Sequence, residues 1–410
     1  MALMVYLNIL DVLMFILGAV SLGYQAACII ASLFHHRITF PTVPMDKRYA
    51  VLISARNEAK VVPNLINSIR EQTYPSSLVD IWLVADNCTD DTAEVVRGMG
   101  CQVVERHNLE EIGKGYALTY LLDEMIERGV ASDYEAFFVF DADNKLDKHY
   151  IEEMNKAFQS GFRILTSYRN STNISENWVS SGSALWFIRE SRFLNNSRML
   201  FGASCHVGGT GFMFSQEVMQ RNNGWKFHLL TEDLEFTMDS VLHGDRIGYC
   251  GTAILYDEQP VSFLQSWRQR LRWSKGFLQV FRYYGPLLIK RAIKERDFSA
   301  FDFTMLICPF MLLGMVRGAL GILFAAFGFV SWTTQIDAAI TWTIGGAFGL
   351  LAMMFLAGLT VFAERDQIGA SNKELLAYVL SFPIYMASYI PISFQAVFSR
   401  AQWKPIEHKG

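Results

Sequence analysis

Several protein classes are excluded by what the chain lacks. Its 36 Lys and Arg are outnumbered by 40 Asp and Glu, for a formal net charge of −4. No basic field is available to hold a nucleic-acid backbone, so no nucleic-acid partner is expected. Cys28, Cys88, Cys101, Cys205, Cys250 and Cys308 form no CxxC pair and keep no regular spacing. They read as scattered reduced thiols rather than a disulfide framework or a zinc site. Lys and Arg are absent before Arg37. A P-loop is missing too. Around Gly113-Lys114-Gly115, Asn108 takes the place of the first glycine and Gly115 that of the required Ser or Thr.

Apolar residues, by contrast, make up 51% of the 410 positions and gather at the two ends. The run 5–34 is too long for a signal-peptide core and has no clean cleavage site. His35, His36, Arg37, Lys47 and Arg48 follow it. Basic residues favour the cytoplasmic flank, so the next domain is expected in the cytoplasm of a multi-pass cell-membrane protein. Asp11, inside the run, is expected near the outer interface or against a protein partner. Runs 303–330, 338–363 and 375–398 are each long enough to span a bilayer, at about 20 residues per crossing. One span before the domain and three after it put the C-terminus outside, whereas Arg400, Lys404 and Lys409 favour the inside. A re-entrant run would resolve this, and Pro383 and Pro391 point to the last one. The chain thus divides into a membrane helix at 1–36, a cytosolic domain at 37–260, interfacial helices at 261–300, and about three membrane helices with a short tail at 301–410.

Within the middle domain, residues 49–55, 81–86, 102–106, 136–141 and 164–168 read as strands. Residues 59–71, 91–99, 114–128 and 148–160 carry helical spacing. This alternation predicts an α/β fold with a mainly parallel, Rossmann-like sheet covered on both faces. Ligands then bind beyond the carboxyl ends of the strands. Residues 262–284 interleave Arg268, Arg270, Arg272, Lys275 and Arg282 with Trp267, Trp273, Phe277, Phe281 and Tyr283. Lys290, Arg291, Lys294 and Arg296 follow. Basic and aromatic residues at helical spacing suit a helix lying among lipid headgroups.

Five groups of residues carry possible chemistry. Asp86 ends a strand, placed to accept from a ribose hydroxyl or a base N–H. It could instead cap the next helix, although Asp90 or Asp91 fits that role better. Lys114 opens a helix, where a cation is disfavoured unless an anion offsets it; a solvated lysine in a glycine turn is the plainer alternative. Asp141-Ala142-Asp143-Asn144 ends a strongly apolar strand. Alternate residues of an extended segment share a face, so both carboxylates can reach one Mg²⁺ or Mn²⁺ bridging to a diphosphate. A polar turn is the alternative. In Thr231-Glu232-Asp233, the acids either stabilise a helix start or supply a general base, worth about 10²–10⁴ in rate. Gln269-Arg270-Leu271-Arg272-Trp273 offers a phosphate-matching guanidinium and a flat ring for a sugar; a membrane-interface belt explains the composition but not this spacing.

Taken in order, Asp86, Asp141-Ala142-Asp143, Thr231-Glu232-Asp233 and Gln269-x-x-Arg272-Trp273 resemble the family 2 glycosyltransferases, in particular the membrane-integrated branch of cellulose, hyaluronan and chitin synthases. The resemblance covers roughly residues 49–284. It implies a GT-A catalytic fold, a UDP-sugar donor and inversion at the anomeric carbon. Carried over by position, Ala55, Glu58 and Asp86 would contact uridine, and Lys114 would help hold the nucleotide. Asp143 would ligate Mg²⁺ or Mn²⁺, with Asp141 beside the donor. Asp233 would be the base, with Glu232 next to it. Arg272 would meet the diphosphate, and Gln269 and Trp273 the acceptor end. Gly209 and Thr210 fall in a loop near the acceptor terminus.

The chain departs from that branch at 364–374, which lacks the Phe-x-Val-Thr pattern of the cellulose-synthase gating loop, so cellulose is not expected. No soluble regulatory domain is expected after residue 284. Processive elongation of a β-linked polysaccharide is the leading expectation, and a single addition to a membrane lipid the nearest rival. A transporter would need paired charges inside the spans, for which Asp11 and Arg317 are the candidates. The four Asn-x-Ser/Thr sites beginning at Asn87, Asn170, Asn173 and Asn195 read as chance in a cytosolic domain. Sugar identity and oligomeric state are not encoded in these motifs.

Overall fold

The computed structural model describes residues 2–35 and 37–399. His36 and the tail residues Arg400, Lys404 and Lys409 lie outside the described residues. The elements run α1 (Ala2–Phe34), β1 (Tyr49–Ala55), α2 (Val62–Arg70), β2 (Val79–Asp86), α3 (Thr92–Gly98), β3 (Gln102–Arg106), α4 (Lys114–Glu127), β4 (Ala136–Asp141), β5 (Lys145–Leu146), α5 (Tyr150–Gln159) and β6 (Ile164–Ser171). They continue with α6 (Trp178–Arg189), a π-helical turn (Glu190–Asn195), α7 (Asn196–Leu200), β7 (Phe212–Ser215), α8 (Gln216–Asn222), α9 (Glu232–Leu242), β8 (Ile247–Asp257) and α10 (Phe263–Lys294). The last are α11 (Phe298–Ile307), α12 (Phe310–Ala326), α13 (Trp332–Ala363), α14 (Arg365–Ile368), α15 (Asn372–Ala387) and α16 (Tyr389–Phe398).

One sheet of eight strands runs β3-β2-β1-β4-β7-β6-β8-β5. The β3-β2-β1-β4 half is parallel throughout, and β6 pairs with β8 in parallel. β7 enters antiparallel between β4 and β6, and β5 pairs antiparallel with β8. The sheet is therefore mixed but mostly parallel, as the alternating pattern predicts. Central parallel strands are buried on both faces and read as unbroken apolar runs. Their side chains alternate between two cores. Leu52, Phe137 and Val139 face Leu118, Leu121 and Leu122 of α4. Val51, Phe138 and Phe140 face Leu65 and Ile66 of α2 and Tyr150 and Met154 of α5.

Among the described residues, three helical stretches are long and apolar enough to cross a membrane: Val5–Phe34, Trp332–Ala363 and Asn372–Phe398. A fourth is made if α11 and α12, bent by 50°, form one broken span. The sharp bend lies there, at Cys308-Pro309, and not in the last run where two prolines point. Pro391 sits in the first turn of α16, where a proline costs little because that N–H has few partners to lose. The two basic stretches merge into the single 32-residue helix α10. Asp11 pairs within the chain: Arg317 of α12 donates to both its oxygens, at 2.7 and 2.8 Å.

Candidate active site

Because β1, β2 and β4 are parallel neighbours, their carboxyl ends share one edge; Ala55 lies opposite Ala85, and Ser54 opposite Asp141. Past β1 the chain turns through Asn57, at φ +61°, whose Oδ1 accepts from the Thr89 N–H at 2.7 Å. The Glu58 N–H then donates to Thr92 Oγ1 at 2.9 Å, pinning this loop against the one after β2. Asp86 is 3% exposed. Its Oδ1 accepts from Arg106 at 2.8 Å and from Asn87 at 3.0 Å. The N-cap of α3 is Asp91, and Asp90 before it accepts from the Thr92 N–H at 3.1 Å. Asp86 is thus spared that duty and is held at the edge by Arg106.

At the end of β4, the Asp141 N–H donates to Thr210 Oγ1 at 2.9 Å, and Thr210 in turn bonds Asn144. Asn144 donates to Asp257, at the end of β8, at 2.8 Å. Burial raises the Asp143 carboxyl well above the usual range, and the charges of Asp257 and Asp141 add to this, while Arg169 opposes them. Negative charge is therefore crowded at this corner, the condition that a divalent cation relieves. Among the described residues no three His, Cys, Asp or Glu side chains are grouped to hold an ion by themselves.

Lys114 reaches into the same edge. Its ammonium donates to Asp141 Oδ1 at 2.5 Å and to the Gly209 carbonyl at 2.7 Å. The anion that offsets a lysine at a helix start is thus a carboxylate of the chain. Burial works to lower its pKa, but Asp141 and Glu232 more than compensate, and the group stays charged. Gly209, at φ +83°, brings the loop close to the start of α9: a Cβ there would sit 3.4 Å from Asp233 Oδ2. Next to it, Glu232 is pushed up to about 7 by burial and by Asp233, with Lys114 and Arg272 pulling the other way. Arg272 lies against the same turn, donating to the Leu230 carbonyl at 2.7 Å.

Lys114, Asp141, Gly209, Thr210, Glu232, Asp233 and Arg272 are accordingly drawn into one contact network, with Asp143 beside it. Ala55, Glu58 and Asp86 stand along the same edge. Gln269 and Trp273 touch none of these carboxylates. Gln269 Oε1 is buried without a partner, and Trp273 packs edge-on against Phe187 at 5.9 Å. Three participants escape the sequence reading: Arg106, Arg169 and Asp257. Asp257 does carry a signal, a carboxylate ending a strand parallel to β6. Arg169 lies one residue past where the apolar run of β6 fades. A cavity of about 390 Å³ opens beside Asp143, between α2 (Asn64, Asn67) with Glu71 just past it and the loop after β8 (Glu258).

The family model described as "Glycosyltransferase like family 2" matches residues 46–276. The beta-monoglucosyldiacylglycerol synthase of Nostoc sp. is 25% identical over 277 residues, covering 63% of this chain and 56% of that protein. The poly-beta-1,6-N-acetyl-D-glucosamine synthase of Staphylococcus epidermidis is 24% identical over 238 residues, 55% of this chain and 53% of its own. The matches span about half the length of these relatives. The mannosyltransferase PcManGT of Pyrobaculum calidifontis, solved with GDP-Man and Mn²⁺, superposes with a TM-score of 0.57 over 92% of this chain and 98% of that one. At 17% identity this likeness concerns the fold alone, which is GT-A.

Proposed function

The chain belongs to glycosyltransferase family 2, and from that membership we propose that it transfers one sugar from a UDP-sugar to a hydroxyl of a membrane lipid. The observation that carries the acceptor is the sparse packing of the membrane helices. Only 6% of the apolar window of α1 and 17% of that of α13 is buried within the chain. Helices so exposed leave a lipid free to reach a site beneath them from the side. Sequence alone puts chain elongation first; the exposure of these helices is what favours a lipid acceptor here. Elongation remains the second reading, favoured by Gln269-x-x-Arg272-Trp273 and by the S. epidermidis relative.

In this reading the catalytic domain faces the cytoplasm, and Ala55, Glu58 and Asp86 hold the uridine. Asp143 would hold Mg²⁺ or Mn²⁺, and a bound cation would supply neutralising charge for the departing UDP. Lys114 and Arg272 add fixed positive charge where that negative charge develops. Gly209 and Thr210 border the acceptor, and Gln269 and Trp273 line its outer end. Asp233 takes the acceptor proton as the hydroxyl attacks opposite the leaving group, a single displacement that inverts the anomeric carbon. Supporting that role is the 3.4 Å between its carboxylate and the place where a side chain on Gly209 would begin.

The test gives the detergent-purified full chain UDP-glucose, UDP-N-acetylglucosamine or GDP-mannose, with Mn²⁺ and diacylglycerol, and reads products by mass spectrometry. One sugar per lipid, from a UDP donor, is the expected result. A ladder of long chains would favour elongation instead. Transfer from GDP-mannose alone would reject the UDP donor, and transfer from none would reject both readings.

A further inference from the structure

One guanidinium in the site has no part in the chemistry just described, yet it touches three sides of it. Arg169 Nε donates to Asp257 Oδ2 at 3.0 Å, and Nη2 reaches the same oxygen. Asp257 accepts from Asn144, the neighbour of Asp143. Arg169 Nη1 donates to the Gly208 carbonyl at 2.7 Å. The guanidinium lies 3.7 Å above the Phe187 ring, and Phe187 in turn meets Trp273 edge-on. Its side chain is 14% exposed and that of Asp257 5%.

An ion pair alone needs neither the Gly208 carbonyl nor the ring. A planar fork with five donors satisfies all three directions at once, which a lysine cannot do. We propose that Arg169 is a positioning residue for sugar transfer: it sets Gly208, Gly209 and Trp273 at a fixed distance from the Asp143 corner. This inference rests on the reading of the site given above. A misplacement of about 1 Å between reacting groups costs on the order of 100-fold in rate.

The test uses the full chain in detergent, labelled with 5-fluorotryptophan, and two variants. Arg169→Lys keeps a charge for Asp257 but loses the fork and the stack. Phe187→Leu keeps the Arg169–Asp257 pair and loses the stack together with the edge contact to Trp273. UDP with Mn²⁺ is titrated, and the Trp273 fluorine resonance is followed, assigned through Trp273→Phe. In the wild type the nucleotide shifts that resonance. In both variants UDP affinity stays within about twofold, the shift is lost, and UDP release from the preferred donor falls about 10- to 100-fold. A shift retained in both variants would overturn the proposal. So would nucleotide affinity falling in step with turnover, the mark of a merely structural role. Should Arg169→Lys fail to fold, Arg169→Gln, which keeps a donor for Asp257 and loses the fork, is read the same way. Failure of the underlying reading has its own signature: a wild-type protein that binds neither UDP nor GDP with Mn²⁺, which would overturn the inference as well.

Discussion

Glu232 competes with its own surroundings. Burial and the adjacent Asp233 push its carboxyl up to about 7, against an ordinary value near 4.5. Between those values the folded chain keeps a proton that the unfolded chain releases, so stability falls as pH rises through that window. Lys114 and Arg272 limit the effect without cancelling it. Glu232→Gln removes the titration. Nucleotide-free wild type in detergent is therefore expected to lose up to roughly 3 kcal/mol between pH 5 and 7.5 that the variant retains. Thermal unfolding followed by intrinsic fluorescence reads this, and parallel pH curves for the two proteins would reject it. Lys114 shows why single residues are hard to assign in advance. Its spacing reveals a lysine at a helix start, but only the folded chain reveals that Asp141 and the Gly209 carbonyl receive it.

Among elements, the decisive contact is that of α9 with α10. Gly276 of α10 lies against Thr231, at the start of α9; an added Cβ would stand 2.5 Å from both Thr231 Oγ1 and Cγ2. Gly276→Ala must move the acidic turn or the helix that carries Arg272. Overpacking of this kind costs about 1–3 kcal/mol. Turnover measured as UDP release is expected to fall at least about tenfold, since about 1 Å of displacement at a reacting centre has that effect or more. A variant with wild-type turnover would show that the α9–α10 spacing is unimportant. The central strands are legible in the sequence because both of their faces are apolar. β8 is less so, since Gly248 and Gly251 interrupt it; the space above Gly248 is filled by Phe162, 2.5 Å from where a Cβ would be. β6 is read short at Tyr168, and Arg169 is lost with its end. The pairs Asp86–Arg106 and Arg169–Asp257 follow from sheet register and packing, which no local spacing encodes.

Over the whole molecule, buried polar contacts tie the catalytic domain to the membrane helices. Glu364, after α13, is 3% exposed. It pairs with Arg37 past α1, accepts from Tyr168 of β6 at 2.8 Å and meets Arg192 of the π turn at 3.0 Å. Arg270, three residues before Trp273, is fully buried and donates to Ser388 Oγ, between α15 and α16, at 2.5 Å. The helix that bears Arg272 and Trp273 is thereby fixed to the membrane part. Hydropathy reveals the apolar runs themselves. The break at Pro309 and these cross-links stay hidden, because they depend on which helices meet.

The central proposition is that side chains from distant stretches meet at one transfer site under the bilayer, with Asp233 taking the acceptor proton. Asp233→Asn in the full chain, reconstituted in lipid nanodiscs, tests it most directly. UDP affinity in the presence of Mn²⁺ should stay within a few-fold of wild type, while sugar transfer falls by about 10²–10⁴. Transfer that survives the substitution, or nucleotide binding lost along with it, would contradict the assignment.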